Sequence, residues 1–377
     1  MAGSSSAATF DREPLHFLDR ATGEPGDAFW LPDRQLCLAE IGAAKAVLAN
    51  ENRLYQEHSD FFHTRRGPFG PRTSQVEIGR GARRLLRLHL EERAGELEAS
   101  ISRELLPASE WPDAGNRLIY YHLRAALAAP ESPQSLRRTI DEVVERAVLA
   151  GARERHSWFQ RALFRRRALR ELSRCLDQRR RRDDAPPRDL LDVMVDSTGA
   201  EVPAEVLAEL YLGFIFAIAG SVGFTLGWSI YLLGTHRPSE AEPAWVVREA
   251  LRLWPVAWLM ARRPARPHEI AGVAVTPHDE VLVCPYLLHR HPRYWEDPLE
   301  FRPDRWRQPR DEHAFIPFGW GPHTCVAASL TFELVEQVLS LLAGGYRLAV
   351  APHTTQPFVG PALAPPRFTL RLLPRRP

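Results

Sequence analysis

The stretch Phe315 to Leu330 (FIPFGWGPHTCVAASL) sets one cysteine, Cys325, after a loop rich in Gly and Pro and ahead of an apolar run, Val326 to Leu342. Gly319 and Gly321 permit turns with φ > 0 and a close approach to a flat partner. Read as a helix, the apolar run places its first backbone N–H groups just after the sulfur, where they favour the thiolate. An electron-rich sulfur held on a rigid turn is what an axial ligand to haem iron requires. The same residues also suit a plain loop whose cysteine acts as a small hydrophobe. A second chemical pair, Glu249 and Arg252, stands three residues apart, a spacing that brings acid and guanidinium to one helix face.

The spacing Phe318-x-x-Gly321-x-His323-x-Cys325 resembles the haem-binding loop of the cytochrome P450 family. The resemblance implies Cys325 as the metal ligand, with Phe318, Gly319, Gly321, His323 and Ala327 around haem b (iron protoporphyrin IX). His323 stands where arginine is commoner and is expected to reach a propionate; Ala327 replaces the usual glycine. Arg262, closing Pro255 to Arg262, is the first propionate candidate. Arg80 and Arg84 occupy the positions of a further propionate pair, although the family's Trp or His is missing from the first of them. Arg305, in Phe301-Arg-Pro-Asp-Arg-Trp306, is expected to join Glu249 and Arg252 in a buried ion-pair network under the haem. Val256, Trp258, Leu259, Thr354 and Thr355 are expected to line a substrate pocket with Ile218 and Val222, although Trp258 is equally well read as core.

The central apolar segment departs from the family. Haem-thiolate monooxygenases carry Ala-Gly-x-acid-Thr there, and the acid and alcohol organise protons. Registration on Glu205 and Trp228 places Ala217, Ile218, Gly220 and Ser221 on that Ala, Gly, acid and Thr; registration on Ala219-Gly220 places Val222 and Gly223 on the acid and alcohol. Neither register supplies a carboxylate. The first is preferred, with Ser221 as the replacement alcohol and Gly220 beside it as the catalytic candidates.

These residues need a helical frame. Residues 1–13 read as a disordered N-terminal segment, and 14–377 as a single domain, mainly α with small β-sheets (α+β); the resemblance implies the cytochrome P450 fold with a triangular-prism helical body. A hairpin is expected over Gly26 to Ala39, turning at Pro32-Asp33, and a helix over 41–50. One long basic helix is expected from Val76 to Ile101, then helices over 114–129, 136–152 and 155–178. Pro203 opens the central helix, which runs to Leu233, and Ala244 to Trp254 is the helix bearing Glu249. Residues 270–275 and 280–284 are read as a hairpin turning at Pro277-His-Asp.

Composition narrows the function classes. The 377 residues are 45% hydrophobic and 25% charged with a net charge of +2, values of a soluble globular protein. Leu207 to Leu233 is broken by glycines and opens with glutamates, so a buried helix is expected rather than a bilayer span. No export signal is evident. The four cysteines form no CxxC pair, which argues against a disulfide scaffold and a four-thiolate zinc site. His289, His291 and His313 lack metal-ligand spacing and are read as polar turn histidines. The basic residues are arginines except Lys45; the runs at 165–167 and 179–182 are read as solvated helix faces or termini rather than a nucleic-acid surface.

What the resemblance implies is therefore a cytoplasmic, monomeric monooxygenase without membrane or nucleic-acid partners. It would oxidise a small organic substrate in bacterial secondary metabolite biosynthesis, with electrons from a soluble ferredoxin and its reductase. The alternatives are a peroxide-using or catalytically degenerate haem protein of the same fold, and a non-haem helical interaction protein in which Cys325 and the ion pairs only pack.

Overall fold

The computed structural model describes residues 13–21, 28–56, 61–150, 156–181, 186–238, 241–308 and 313–375. The expected disordered segment, 1–13, lies outside them except for its last residue. The helices used below are α1 (Ile41–Ala49), α2 (Arg72–Glu92), α3 (Leu97–Leu105), α4 (Asp113–Leu127), α5 (Trp158–Arg179), α6 (Leu190–Asp196), α7 (Ala204–Ile215), α8 (Val222–His236), α9 (Pro243–Leu253) and α10 (Ala328–Gly345). The elements fall into two compact units: residues 1–60, 236–325 and 359–363, and the remainder.

The first unit is built on a four-stranded sheet. Strands Ala28–Leu31 and Gln35–Leu38 form the expected antiparallel hairpin. Gln35–Leu38 then pairs in parallel with Glu280–Val283, which pairs antiparallel with Met260–Arg262. Leu36, Leu38, Val281 and Val283 pack with Ile41, Ala44, Val47 and Leu48 of α1, burying apolar stripes of both element types. Glu40 caps α1, accepting from the Gly42 and Ala43 amides at 2.6 Å. The hairpin expected over 270–284 does not form. His268–Ile270 pairs with Val273–Val275 instead, turning through Ala271 (φ 48°) and Gly272 (φ 73°). Two consecutive left-handed residues suit a tight hairpin, so the chain turns there and Glu280–Val283 is released to the larger sheet.

The second unit is helical, with a three-stranded sheet in the order Tyr346–Pro352, Phe368–Pro374, Ala108–Trp111. The single helix expected from Val76 to Ile101 is two, α2 and α3, separated by a 3-10 turn at Ala94–Glu96. Gly95 lies within that turn, as expected of a residue that weakens a helix. Arg179, expected on a solvated helix face or terminus, ends α5 with its side chain only 8% exposed: its guanidinium bonds both oxygens of Asp189 at 2.5 and 2.8 Å and also reaches Asp192. Asp189 caps α6 and accepts from the Ala129 amide at 2.8 Å, so one carboxylate joins the ends of α4, α5 and α6.

The central helix runs from Ala204 to His236. Among the described residues it is the one helix long and apolar enough to cross a membrane, with a mean hydropathy of 1.8. Leu207, Tyr211, Ile215, Ala219, Leu226 and Ile230 are fully buried in the fold, as in a core helix. Its regular winding is interrupted: Phe216–Ser221, between α7 and α8, is a π-segment.

Candidate functional site

Cys325 is exposed, whereas Cys37, Cys175 and Cys284 are buried. Its loop is a sequence of tight turns. The Gly319 amide donates to Ile316 O at 3.1 Å, the Thr324 amide to Gly321 O at 3.1 Å, and the Cys325 amide to Phe318 O at 3.0 Å. Gly319 and Gly321 have φ of 79° and 72°, a region that glycine enters without a Cβ penalty. A Cβ on Gly321 would lie 2.9 Å from Ala49 Cα. The side of this glycine where a Cβ would stand is thus closed by the end of α1. Helix α10 begins at Ala328, not Val326, with Ala327 as its half-buried N-cap residue. Its first amides thus start three residues beyond the sulfur.

Beneath the loop, Glu249 gathers five donors. Arg252 bonds both its oxygens, Nε to Oε2 at 2.9 Å and Nη2 to Oε1 at 2.8 Å. Arg305 Nε reaches Oε1 at 3.0 Å, Trp306 Nε1 reaches Oε2 at 2.9 Å, and the Arg302 amide reaches Oε1 at 3.0 Å. Glu249 and Arg252 are fully buried and Arg305 nearly so. The remaining guanidinium donors close on carbonyls: Arg252 on His289, Pro298 and Glu300, and Arg305 on Glu296 and Asp297. Three charges are thus compensated by a bidentate pair and a shell of dipoles, the condition for a buried ion network to be tolerated.

His289 was expected at a polar turn. It is fully buried. Its Nδ1 faces Leu251 O at 3.3 Å, and its Nε2 accepts from the Ile316 amide at 2.9 Å. That pairing assigns the Nδ1–H neutral tautomer. Burial, and next the Arg252 charge, push its pKa down to about 3. This ring ties the helix bearing Glu249 to the loop bearing Cys325. His291 is half-buried and His313 exposed.

The other expected cofactor residues are placed as follows. Arg262 is buried at the end of its strand, with Nη1 on Ala261 O at 2.8 Å. His323 and Phe318 are half-buried. In the second unit Arg80 and Arg84 are exposed on α2 and have no ion-pair partner among the described residues. Their neighbours are engaged: Arg83 contacts Ser329 at 3.3 Å and Arg87 contacts Glu333 at 3.4 Å. Val256 and Trp258 are buried, and Trp258 Nε1 donates to Gly360 O at 2.8 Å, anchoring the indole; Leu259 is half-buried. Thr354 and Thr355 are exposed.

In the middle of the central helix, from Leu210 to Ile230, the half-buried positions are Leu212, Gly213, Phe216, Ala217, Ser221 and Val222, which form one open stripe. Ser221 lies on it, and its hydroxyl has no protein partner among the described residues. Gly220 is buried off the stripe, where a Cβ would meet the Phe216 ring at 3.1 Å and Val148 at 3.3 Å. Ile218 is buried as well. Gly223, the alcohol position of the second register, faces Asn116. Sequence reading passed over Asn116, a fully buried residue of α4 whose Nδ2 donates to Ala219 O at 2.9 Å and Gly220 O at 3.1 Å. No local pattern marks a side chain that serves a carbonyl a hundred residues away.

The donor set fits a haem. An exposed thiol stands on a rigid loop, where its deprotonated form is a soft axial ligand. In the same unit, Arg262 and His323 supply basic groups suited to a propionate.

Residues 244–361 match the family model described as Cytochrome P450. The protein "Cytochrome P450 4V2" of Mus musculus is 33% identical over 179 residues, covering 40% of this chain and 34% of that protein. "Cyclooctatin synthase" of Streptomyces melanosporofaciens is 29% identical over 217 residues, 48% of this chain and 47% of that one. The matches thus span between a third and a half of these curated relatives. Among solved structures, P450 OxyD, involved in the biosynthesis of vancomycin-type antibiotics, aligns with a TM-score of 0.75 at 18% identity over 98% of this chain and 99% of that one. The fold is that of the cytochromes P450, and the segment that carries Glu249, Arg305 and Cys325 matches that family's model.

Proposed function

We propose that the chain is a haem-thiolate monooxygenase that oxidises a small organic molecule, by hydroxylation or a related step, in a tailoring reaction of bacterial natural-product biosynthesis. The observation that carries this reading is Cys325, exposed on a turn-locked loop that His289 ties to the buried Glu249 network. Cyclooctatin synthase and the OxyD structure support the tailoring role by their names alone. A soluble ferredoxin with its reductase is the electron source we infer, and haem b the cofactor.

When bound, the haem supplies the oxidising chemistry. The residues of the chain do the rest. Cys325 Sγ would ligate as thiolate, and the Glu249 network keeps its loop from relaxing. Arg262 and His323 would hold a propionate, the role that the sequence resemblance also gives Arg84 and Arg80. On the open stripe of the central helix, Val222 presents apolar surface to the substrate, and Ser221 Oγ holds the proton to be delivered.

The test is the spectrum of the purified protein reduced under carbon monoxide. A red-shifted thiolate band is expected for the wild type, and its loss in Cys325→Ser. A band unchanged by that substitution, or no haem at all, would overturn the reading.

A second reading, peroxide in place of dioxygen and two electrons, is favoured by one observation: residues 216–222 contain no carboxylate, and Ser221 is their sole hydroxyl. Product formed per electron consumed, measured beside a hydrogen-peroxide-driven assay, separates the two. Tight coupling to electrons with no peroxide activity would exclude the peroxide route.

A further inference from the structure

We propose that Asn116 is the positioning residue of the central helix. Its amide holds Phe216–Ser221 in the π register and thereby keeps the Ser221 hydroxyl on the open stripe; the chemical meaning of that position rests on the oxidase reading above.

A π-turn bonds each amide five residues back instead of four, so the return to α-helix leaves carbonyls without an intrahelical donor. A buried carbonyl in that state is strongly disfavoured. Asn116 Nδ2 has two hydrogens to donate, and it gives them to the successive carbonyls of Ala219 and Gly220, at 2.9 and 3.1 Å. Residue 223 must be glycine for α4 to come this close. A Cβ there would lie 2.5 Å from Asn116 Nδ2 and 2.8 Å from its Cα and backbone N. The absent Cβ admits the neighbouring helix, and the amide supplies the missing donors.

The alternative winding is penalised by the same residue. In a regular α-helix the Ala219 and Gly220 carbonyls would accept from residues 223 and 224. The Asn116 amide hydrogens would then have to share those carbonyls with the helix's own amides, on a side chain whose Oδ1 already has no partner. Register decides which side chain lines the stripe. Five-residue stacking places Ser221 over Phe216 and Val222 over Ala217. Four-residue stacking would bring Gly220 over Phe216 and turn Ser221 by about 100°, one residue of helix.

The experiment compares Asn116→Leu, which has no donor at similar volume, with Asn116→Ser, which keeps one donor in a smaller side chain. Two readouts are taken on the haem-loaded enzyme: amide hydrogen exchange across residues 217–225, and product formed per electron consumed. In Asn116→Leu, exchange at 219–224 should accelerate by about tenfold. Product per electron should fall by about fivefold while substrate affinity in a spectral titration changes by less than about twofold. Asn116→Ser should lie between Leu and wild type in both readouts. A role in packing alone predicts the opposite order, since Ser removes more volume than Leu. That order, or wild-type exchange and coupling in both variants, overturns the proposal. Should Asn116→Leu not fold, Asn116→Ala replaces it, nearly the size of Ser but without a donor. The exchange readout does not depend on the cofactor assignment. A wild type without a thiolate band would overturn the oxidase reading and leave the claim about register to be decided by exchange.

Discussion

Glu249 is where a single substitution should be most damaging. Its two oxygens take donors from Arg252, Arg305, Trp306 and the Arg302 backbone, all in buried surroundings. Glu249→Ala leaves two guanidinium groups without their counter-charge and should cost about 3–5 kcal/mol. Denaturant unfolding and haem content measure this, and a variant with full haem content and native stability would contradict the structural role. His289 gives a test by pH. Its folded pKa is depressed to about 3 by burial and by the Arg252 charge, with Arg290 adding to the effect. Below the unfolded histidine's pKa of about 6.5 the unfolded chain takes up a proton that the folded ring refuses. The neutral ring therefore contributes its full stability above that pH. As pH falls toward 3, stability is lost at up to roughly 1.4 kcal/mol per pH unit from this group. His289→Gln should lower stability at neutral pH and flatten this acid slope; an unchanged slope would show that the loss comes from other groups. These two residues also mark what a sequence can disclose. Glu249 and Arg252 are legible because three-residue spacing is local, whereas the partners of His289, Leu251 and Ile316, are set by folding alone.

At the scale of elements, turns were harder to read than helices. The apolar periodicity of α9 and α10 locates both helices within a few residues, but the ends depend on backbone conformation. Ala271, a non-glycine residue with φ 48°, carries the hairpin turn that Pro277-His-Asp was expected to make. The π-segment left no mark in residue types, because its cause is Asn116 on another helix. The cysteine loop offers a graded test of this reasoning. Gly319 and Gly321 have similar positive φ, so an alanine at either position carries the left-handed penalty of about 1–2 kcal/mol. Only Gly321 adds a clash, its Cβ falling 2.9 Å from Ala49 Cα, while at Gly319 the nearest atom is Met260 Sδ at 3.6 Å. Gly321→Ala should therefore lose clearly more stability and haem than Gly319→Ala. Thermal unfolding of the two holoproteins decides it, and equal losses would mean that α1 does not constrain the loop.

For the whole molecule, the cofactor should act as a stabilising ligand rather than a passenger. The candidate axial thiol is exposed on its loop, with Arg262 and His323 in the same unit. A thiolate and two basic groups would be better satisfied with an anionic, iron-bearing ligand in place, so the folded unit should bind haem where the unfolded chain cannot assemble these contacts. Linkage then requires that loading raise stability by RT ln(1 + [L]/Kd), about 2.7 kcal/mol at a hundredfold excess over Kd. Calorimetry on haem-depleted and reloaded protein should show a melting temperature that rises with free haem concentration. Glu249→Ala should shift the dependence to higher haem, since a loosened loop must be reordered at the expense of binding. A melting temperature indifferent to haem in the wild type would mean that the site seen here does not recognise it.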